Sequence, residues 1–213
     1  YAWYGDPQAG LDPEGLAACA THVDGIAALS KERLGAEMKK LMAAPDPAPA
    51  LASMAACGVL SRVLTGADPQ FIAPLVYLEG MASIAPKWQR RMAALGGKNP
   101  AKGLRLSKAE GRYIAAVKAA MQSGGSAKVM AYKFGADAAL DANLIVAATL
   151  SSPLSDTLQQ DISEGSGAVF PLSGSDLIDK VNAGPALGAE LARLERMWID
   201  SNFEATKSDL MQS

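Results

Sequence analysis

Apolar residues recur at helical spacing along almost the whole chain, and strand-period alternation is nearly absent. That pattern predicts an all-α fold, an irregular helical array, because a helix must bury one stripe and a strand must bury alternate residues. Ser30 is placed to cap a helix through Met42, with Leu34, Met38, Leu41 and Met42 forming its apolar stripe. Pro45, Pro47 and Pro49 end it and start another through about Cys57, which Gly58 breaks. Ser107 and Glu110 form a capping box for a helix to about Met121. Further helices are predicted near 70–84, before Gly96-Gly97, at 127–134 and 136–150, and from Ser155. Two closing helices follow, the long one aligning Leu187, Leu191, Leu194 and Trp198. Residues 97–103 read as a loop, and 165–174 as a Gly/Ser-rich connector. Breaks near 65–69 and 151–153 divide the chain into a neck-like part (1–66), a basic helical body (67–152) and a helical tail (153–213).

Alanine dominates and aromatics make up only 6% of the residues, which suits closely packed helices. No stretch approaches the roughly 18 to 20 apolar residues of a membrane span, and no secretory leader is visible, so no membrane partner is expected. The opening Tyr1-Ala2-Trp3-Tyr4 lacks an initiator Met, so a fragment of a longer protein is expected. Cys19 and Cys57 are too few for a disulfide framework and fit a reducing cytoplasm. His22, the lone histidine, reads as a turn residue rather than a ligand or base.

Charge is unevenly spread. The segment 87–133 holds eleven basic residues and one acidic residue, Glu110, for a charge of +10; the remainder holds nine basic and 21 acidic residues, for −12. Such segregation favours a polyanion on one face. Arg90, Arg91, Lys98, Lys102, Arg105 and Lys108 cluster around one loop and its flanking helix ends, and are the best candidates for phosphate contacts. Gly184 and Gly188 flank a helix-starting Pro185; free amides there could hold a phosphate, or the pair could simply start a helix and allow a close helix contact. Asp137 and Asp141 lie one turn apart and read as a solvated face rather than a metal site. Trp3, Tyr4, Trp88 and Trp198 are expected to be buried rather than stacked on bases. Catalysis by this stretch alone is not expected, since no phosphate loop and no carboxylate pair beside a nucleotide cradle is present.

Three segments resemble the class II tRNA nucleotidyltransferases, the family of CCA-adding enzymes and bacterial poly(A) polymerases. They are AWYGDPQAGLDPEGLAAC at the start, LSKERLGAEMKKLMAAPDPAPALASMAACGVL, and FPLSGSDLIDKVNAGPALGAELARLERMWIDSNF. The second carries Ser30, Glu32, Arg33, Glu37, Lys40, Leu41, Met54 and Gly58 at the family's neck positions. The third carries Gly174, Asp176, Leu177, Gly184, Pro185, Gly188 and Trp198. It departs mildly in having Ala183-Gly184-Pro185 for the usual Pro-Gly-Pro.

The resemblance implies an RNA-handling neck, body and tail that holds a tRNA or other RNA 3′ end. In it Glu32, Arg33 and Glu37 would support a nucleotide-selecting helix. The family's Asp-x-Asp metal site and Gly-rich turn are missing from this sequence. The resemblance therefore assigns nucleotide addition, with Mg2+, ATP and CTP, to a catalytic head elsewhere in the parent chain, and no cofactor to this part. The alternative from another class is a helical scaffold whose basic face meets an acidic protein. Convergence of Arg90, Arg91, Lys102 and Arg105 on one concave surface would separate the two.

Overall fold

The computed structural model describes Ala2, residues 10–178 and residues 184–212. Among these residues the chain is helical throughout and contains no sheet; the one β-bridge joins Ala67 to Gly96. Helix α1 (Pro13–Thr21) starts on Asp12, whose carboxylate accepts from the Glu14 and Gly15 amides. A 3-10 helix (Val23–Ala28) leads to α2 (Lys31–Met42), capped as predicted by Ser30, whose Oγ accepts from the Arg33 amide. Then come α3 (Ala48–Ala56), α4 (Val59–Val63), α5 (Ile72–Met81) and α6 (Trp88–Leu95). The one-turn α7 (Pro100–Gly103) precedes α8 (Lys108–Ser123), which carries the expected Ser107/Glu110 capping box. Helices α9 (Ala127–Phe134) and α10 (Ala136–Leu150) follow the predicted bounds. The chain closes with α11 (Leu158–Gly167), α12 (Gly174–Leu177), α13 (Pro185–Asp200) and α14 (Lys207–Gln212).

Two stretches read as irregular are partly helical. Residues 97–103 contain α7, because Asn99 takes the left-handed conformation that asparagine tolerates and Pro100 sits at the first helical position. In the supposed connector, α11 runs on to Gly167. Gly165 is there to permit contact rather than to break the helix: a Cβ on it would lie 2.0 Å from the Lys128 carbonyl oxygen of α9.

The divisions seen in the sequence do not separate cores. One buried cluster takes Met38, Met42, Leu51, Leu60 and Leu64 from the neck-like part, then Leu75, Met92, Ile114 and Leu144 from the body. It also takes Leu158 and Ile162 from beyond residue 153. A second, smaller cluster is built from Leu172, Leu177, Leu194, Trp198 and Leu210, with Leu187 and Leu191 packed on it. The stripe read on the last long helix is therefore real, and Trp198 is core. Helix α9 links the two clusters: Met130 and Ala131 belong to the first, and Tyr132 packs on the second, meeting Trp198 edge-on at 5.4 Å and Phe203 at 5.5 Å between centroids. Burial and a bond to Glu195 push the Tyr132 hydroxyl up to about 12. Among the described residues no helix is long and apolar enough to cross a membrane.

Gly35 places α2. A Cβ there would lie 2.0 Å from the backbone oxygen of Leu104, so only glycine lets the helix seat against the turn after α7. Alanine would gain up to about 1 kcal/mol of helix propensity. It would lose more by forcing apart two backbones that cannot yield as a flexible side chain can. We expect Gly35→Ala to destabilise the fold by about 2–3 kcal/mol in urea denaturation. An unchanged midpoint would show that α2 does not need this contact.

Candidate nucleic-acid interface

The basic segment splits into interior and surface charge. Arg90 and Arg91, on α6, are 1% exposed, so neither can reach a phosphate on the surface; this corrects their selection as contacts. Arg90 Nε donates to Glu79 Oε1 at 2.7 Å, Nη1 to Asp141 Oδ1 at 3.1 Å, and Nη2 to the Ala85 carbonyl at 2.6 Å. Arg91 donates to Glu79 Oε2 through Nε at 3.0 Å and Nη2 at 2.6 Å. It also binds the carbonyls of Met42 (2.9 Å), Ala44 and Pro45 (3.1 Å) at the end of α2. Asp141 is buried as well, so the solvated-face reading fails for it, while Asp137 is exposed. Asp141 accepts from the Tyr113 hydroxyl at 2.5 Å and meets Lys87 Nζ at 3.1 Å. Burial first, then the bond to Asp141, pushes the Tyr113 hydroxyl far above its ordinary range. The network is structural, tying α2, α5, α6, α8 and α10 together.

Lys128 is also engaged internally, 2.9 Å from Glu164 and over the Phe203 ring. Lys87 belongs to the network and Lys118 is half-buried, whereas Lys98, Lys102, Arg105, Lys108, Arg112 and Lys133 are exposed. Lys98, Lys102 and Lys108 are exposed and have no carboxylate partner among the described residues. Arg105 is exposed and lies 3.4 Å from the equally exposed Glu32, a pair in open water that contributes little to stability. Glu110, the one acid of the segment, is bound to Lys39 Nζ at 2.6 Å and to the Ser107 amide at 2.7 Å. The bond to Lys39 is the main reason its carboxyl sits below the usual range. Glu110 therefore remains a carboxylate spent on Lys39 and on its cap, and it does not neutralise the lysines around α7.

Three depressions adjoin α7. The first is lined by Lys31, Arg62 and Lys98, with Leu34, Leu64 and Gly103 among its walls. The second takes Lys102 and Lys118, and the third Lys108 and Arg112; these two share Ala101 and Gly111. Lys98 is fixed in place by its amide, which donates to the Thr65 carbonyl at 2.8 Å, beside the Asp68 amide bonded to the Leu95 carbonyl at 2.9 Å. Arg62 pairs with Asp24 at 2.7 Å, both exposed. Lys31, Arg62, Arg112 and Lys118 were not among the sequence candidates. Arg112 could have been found, one turn beyond Lys108 on the same helix face. Lys31 and Arg62 lie far from the basic segment in sequence and reach the site only through folding.

The proposed convergence of Arg90, Arg91, Lys102 and Arg105 does not occur, since two of the four are interior. Glu32, Arg33 and Glu37 are exposed on α2; Arg33 and Glu37 lie on the side away from Gly35, Met38 and Met42, and Glu32 lies one turn before Gly35, beside Arg105. Gly184 and Gly188 are exposed at the start of α13 and line none of the three depressions. A Cβ on Gly188 would meet nothing within 4 Å among the described residues, so no close helix contact there calls for this glycine. Trp88 is half-buried against the main core with Lys39 Nζ 5.2 Å from its ring centre; Trp3 and Tyr4 lie outside the described residues. His22 is an exposed residue ending α1, and both cysteines are free thiols. Among the described residues no three His, Cys, Asp or Glu side chains are grouped to hold a metal ion.

The geometry defines an all-helical scaffold with exposed cations gathered around one short turn. Residues 10–71 match the family described as the probable RNA and SrmB-binding site of polymerase A. The match covers α1 to α4, including Lys31 and Arg62 of the first depression, and supports a poly(A) polymerase-like relationship over that stretch. No curated protein matches the chain.

Proposed function

We propose that this chain is the RNA-gripping part of a tRNA nucleotidyltransferase or poly(A) polymerase. It would hold a stem so that the 3′ end meets a catalytic head belonging to the same parent chain, in the cytoplasm. One observation carries the reading: the segment similar to the polymerase A RNA-binding site supplies one wall of the cation-lined surface around α7. An A-form stem is read through phosphates and 2′-hydroxyls, and lysines on a rigid helical support suit that readout. Lys31, Arg62, Lys98, Lys102, Lys108 and Arg112 are the groups assigned to phosphates, with Arg105 available by exchange from Glu32. Arg33 and Glu37, facing outward from α2, would meet the head, where Mg2+ with ATP and CTP would act, and Glu32 would join them on releasing Arg105. Gly184 and Gly188 keep only a secondary place.

The experiment is binding of the chain to unmodified tRNA by filter retention across a salt series. With about four to six phosphates engaged, log affinity should fall with log salt at a slope of roughly −3 to −5. No binding at the lowest salt would overturn the proposal.

A further inference from the structure

Helix α5 is apolar on two sides. Ile72, Leu75 and the network carboxylate Glu79 face inward, while Pro74, Tyr77, Leu78 and Met81, at the i, i+3, i+4, i+7 spacing, line a groove of about 720 Å³. The opposite wall is the carboxyl end of α10, from Ala147 to Ser151, with Pro153 and Leu154 beyond it. A helix with apolar residues all round is ordinarily covered all round. Here Tyr77 is 66% exposed, Met81 70%, and Leu150, beside the groove, 69%.

The lining contains no lysine or arginine, and its one charged side chain is Asp156. The carboxyl ends of both helices, near Ala82 and Ser151, also open onto it, each bringing partial negative charge. An apolar floor with a negative rim repels a polyanion, so the groove does not extend the surface around α7. No sheet edge among the described residues offers strand addition, whereas two helices side by side accept a third. We infer that this groove docks an amphipathic helix of a partner protein, with apolar anchors seated on Tyr77, Leu78 and Met81 and basic residues flanking them toward Asp156. The 10-residue length of α5 sets the contact at about three turns. The groove lies outside the segment matched to polymerase A.

The probe is a fluorescent Leu/Lys peptide of about four turns, with leucines at i, i+3, i+4 and i+7, measured by anisotropy against the whole chain. Two controls are a peptide of the same composition with the leucine spacing scrambled, and a Leu/Glu peptide with the spacing kept. The Leu/Lys peptide should bind at least about tenfold tighter than either control, and lose about tenfold on Tyr77→Ser/Met81→Ser, both exposed positions. Equal binding to wild type and double variant, or to spaced and scrambled peptides, would overturn the inference. So would a Leu/Glu peptide that binds as well, or a wild-type dimer in sedimentation that Met81→Ser dissolves, which would give the groove to a second copy.

Discussion

Glu79→Gln should destabilise the chain by about 3–5 kcal/mol in equilibrium denaturation, the range for removing one partner from a buried ionic cluster. Glu79 accepts from Arg90 Nε and from Arg91 Nε and Nη2, and all three residues are interior. The neutral amide would leave Arg90 with Asp141 as its one remaining carboxylate and Arg91 with none, only backbone carbonyls. Water cannot reach them to compensate. The loss would be a large share of the stability of a typical domain, about 5–15 kcal/mol. It would also be local in its consequences. Arg91 holds the carbonyls that close α2, so weakening its anchor frees the helix whose other end carries Lys31. A change below about 1 kcal/mol would mean that the backbone carbonyls alone satisfy the arginines.

The second large effect concerns RNA rather than stability. Replacing Lys98, Lys102 and Lys108 together by alanine should weaken tRNA binding roughly 100- to 500-fold near 0.1 M salt, since each phosphate contact contributes about 0.7–0.9 of a decade there through released counterions. All three are exposed with no carboxylate partner among the described residues, so denaturation should move by no more than about 0.5 kcal/mol each. Affinity and folding are thereby separated in one variant. Arg90→Ala cannot achieve this, because it strips the interior network.

Much of the fold could be read from local signals. Ser30 and Ser107 cap where their side chains predict, and the Leu187 to Trp198 stripe packs inward, because caps and stripes depend on residues within a few turns of each other. What local reading missed is tertiary. Counting charge from 87 to 133 made Arg90 and Arg91 look unopposed, yet Glu79 lies eight residues before that window and Asp141 eight after it. The same blindness made Asp141 look solvated. Gly165 resembled a linker glycine, and only the Lys128 backbone passing beside it shows why glycine stands there. Lys31 and Arg62 joined the site by the fold, so no local motif could have named them.

The most direct measurement is the salt slope of tRNA affinity for wild type beside the Lys98→Ala/Lys102→Ala/Lys108→Ala variant. If these lysines hold phosphates, log affinity against log salt should be shallower in the variant by about 2 to 3, near 0.7–0.9 for each contact removed. Two parallel lines would mean that the turn around α7 touches no RNA, and that the grip lies on another face.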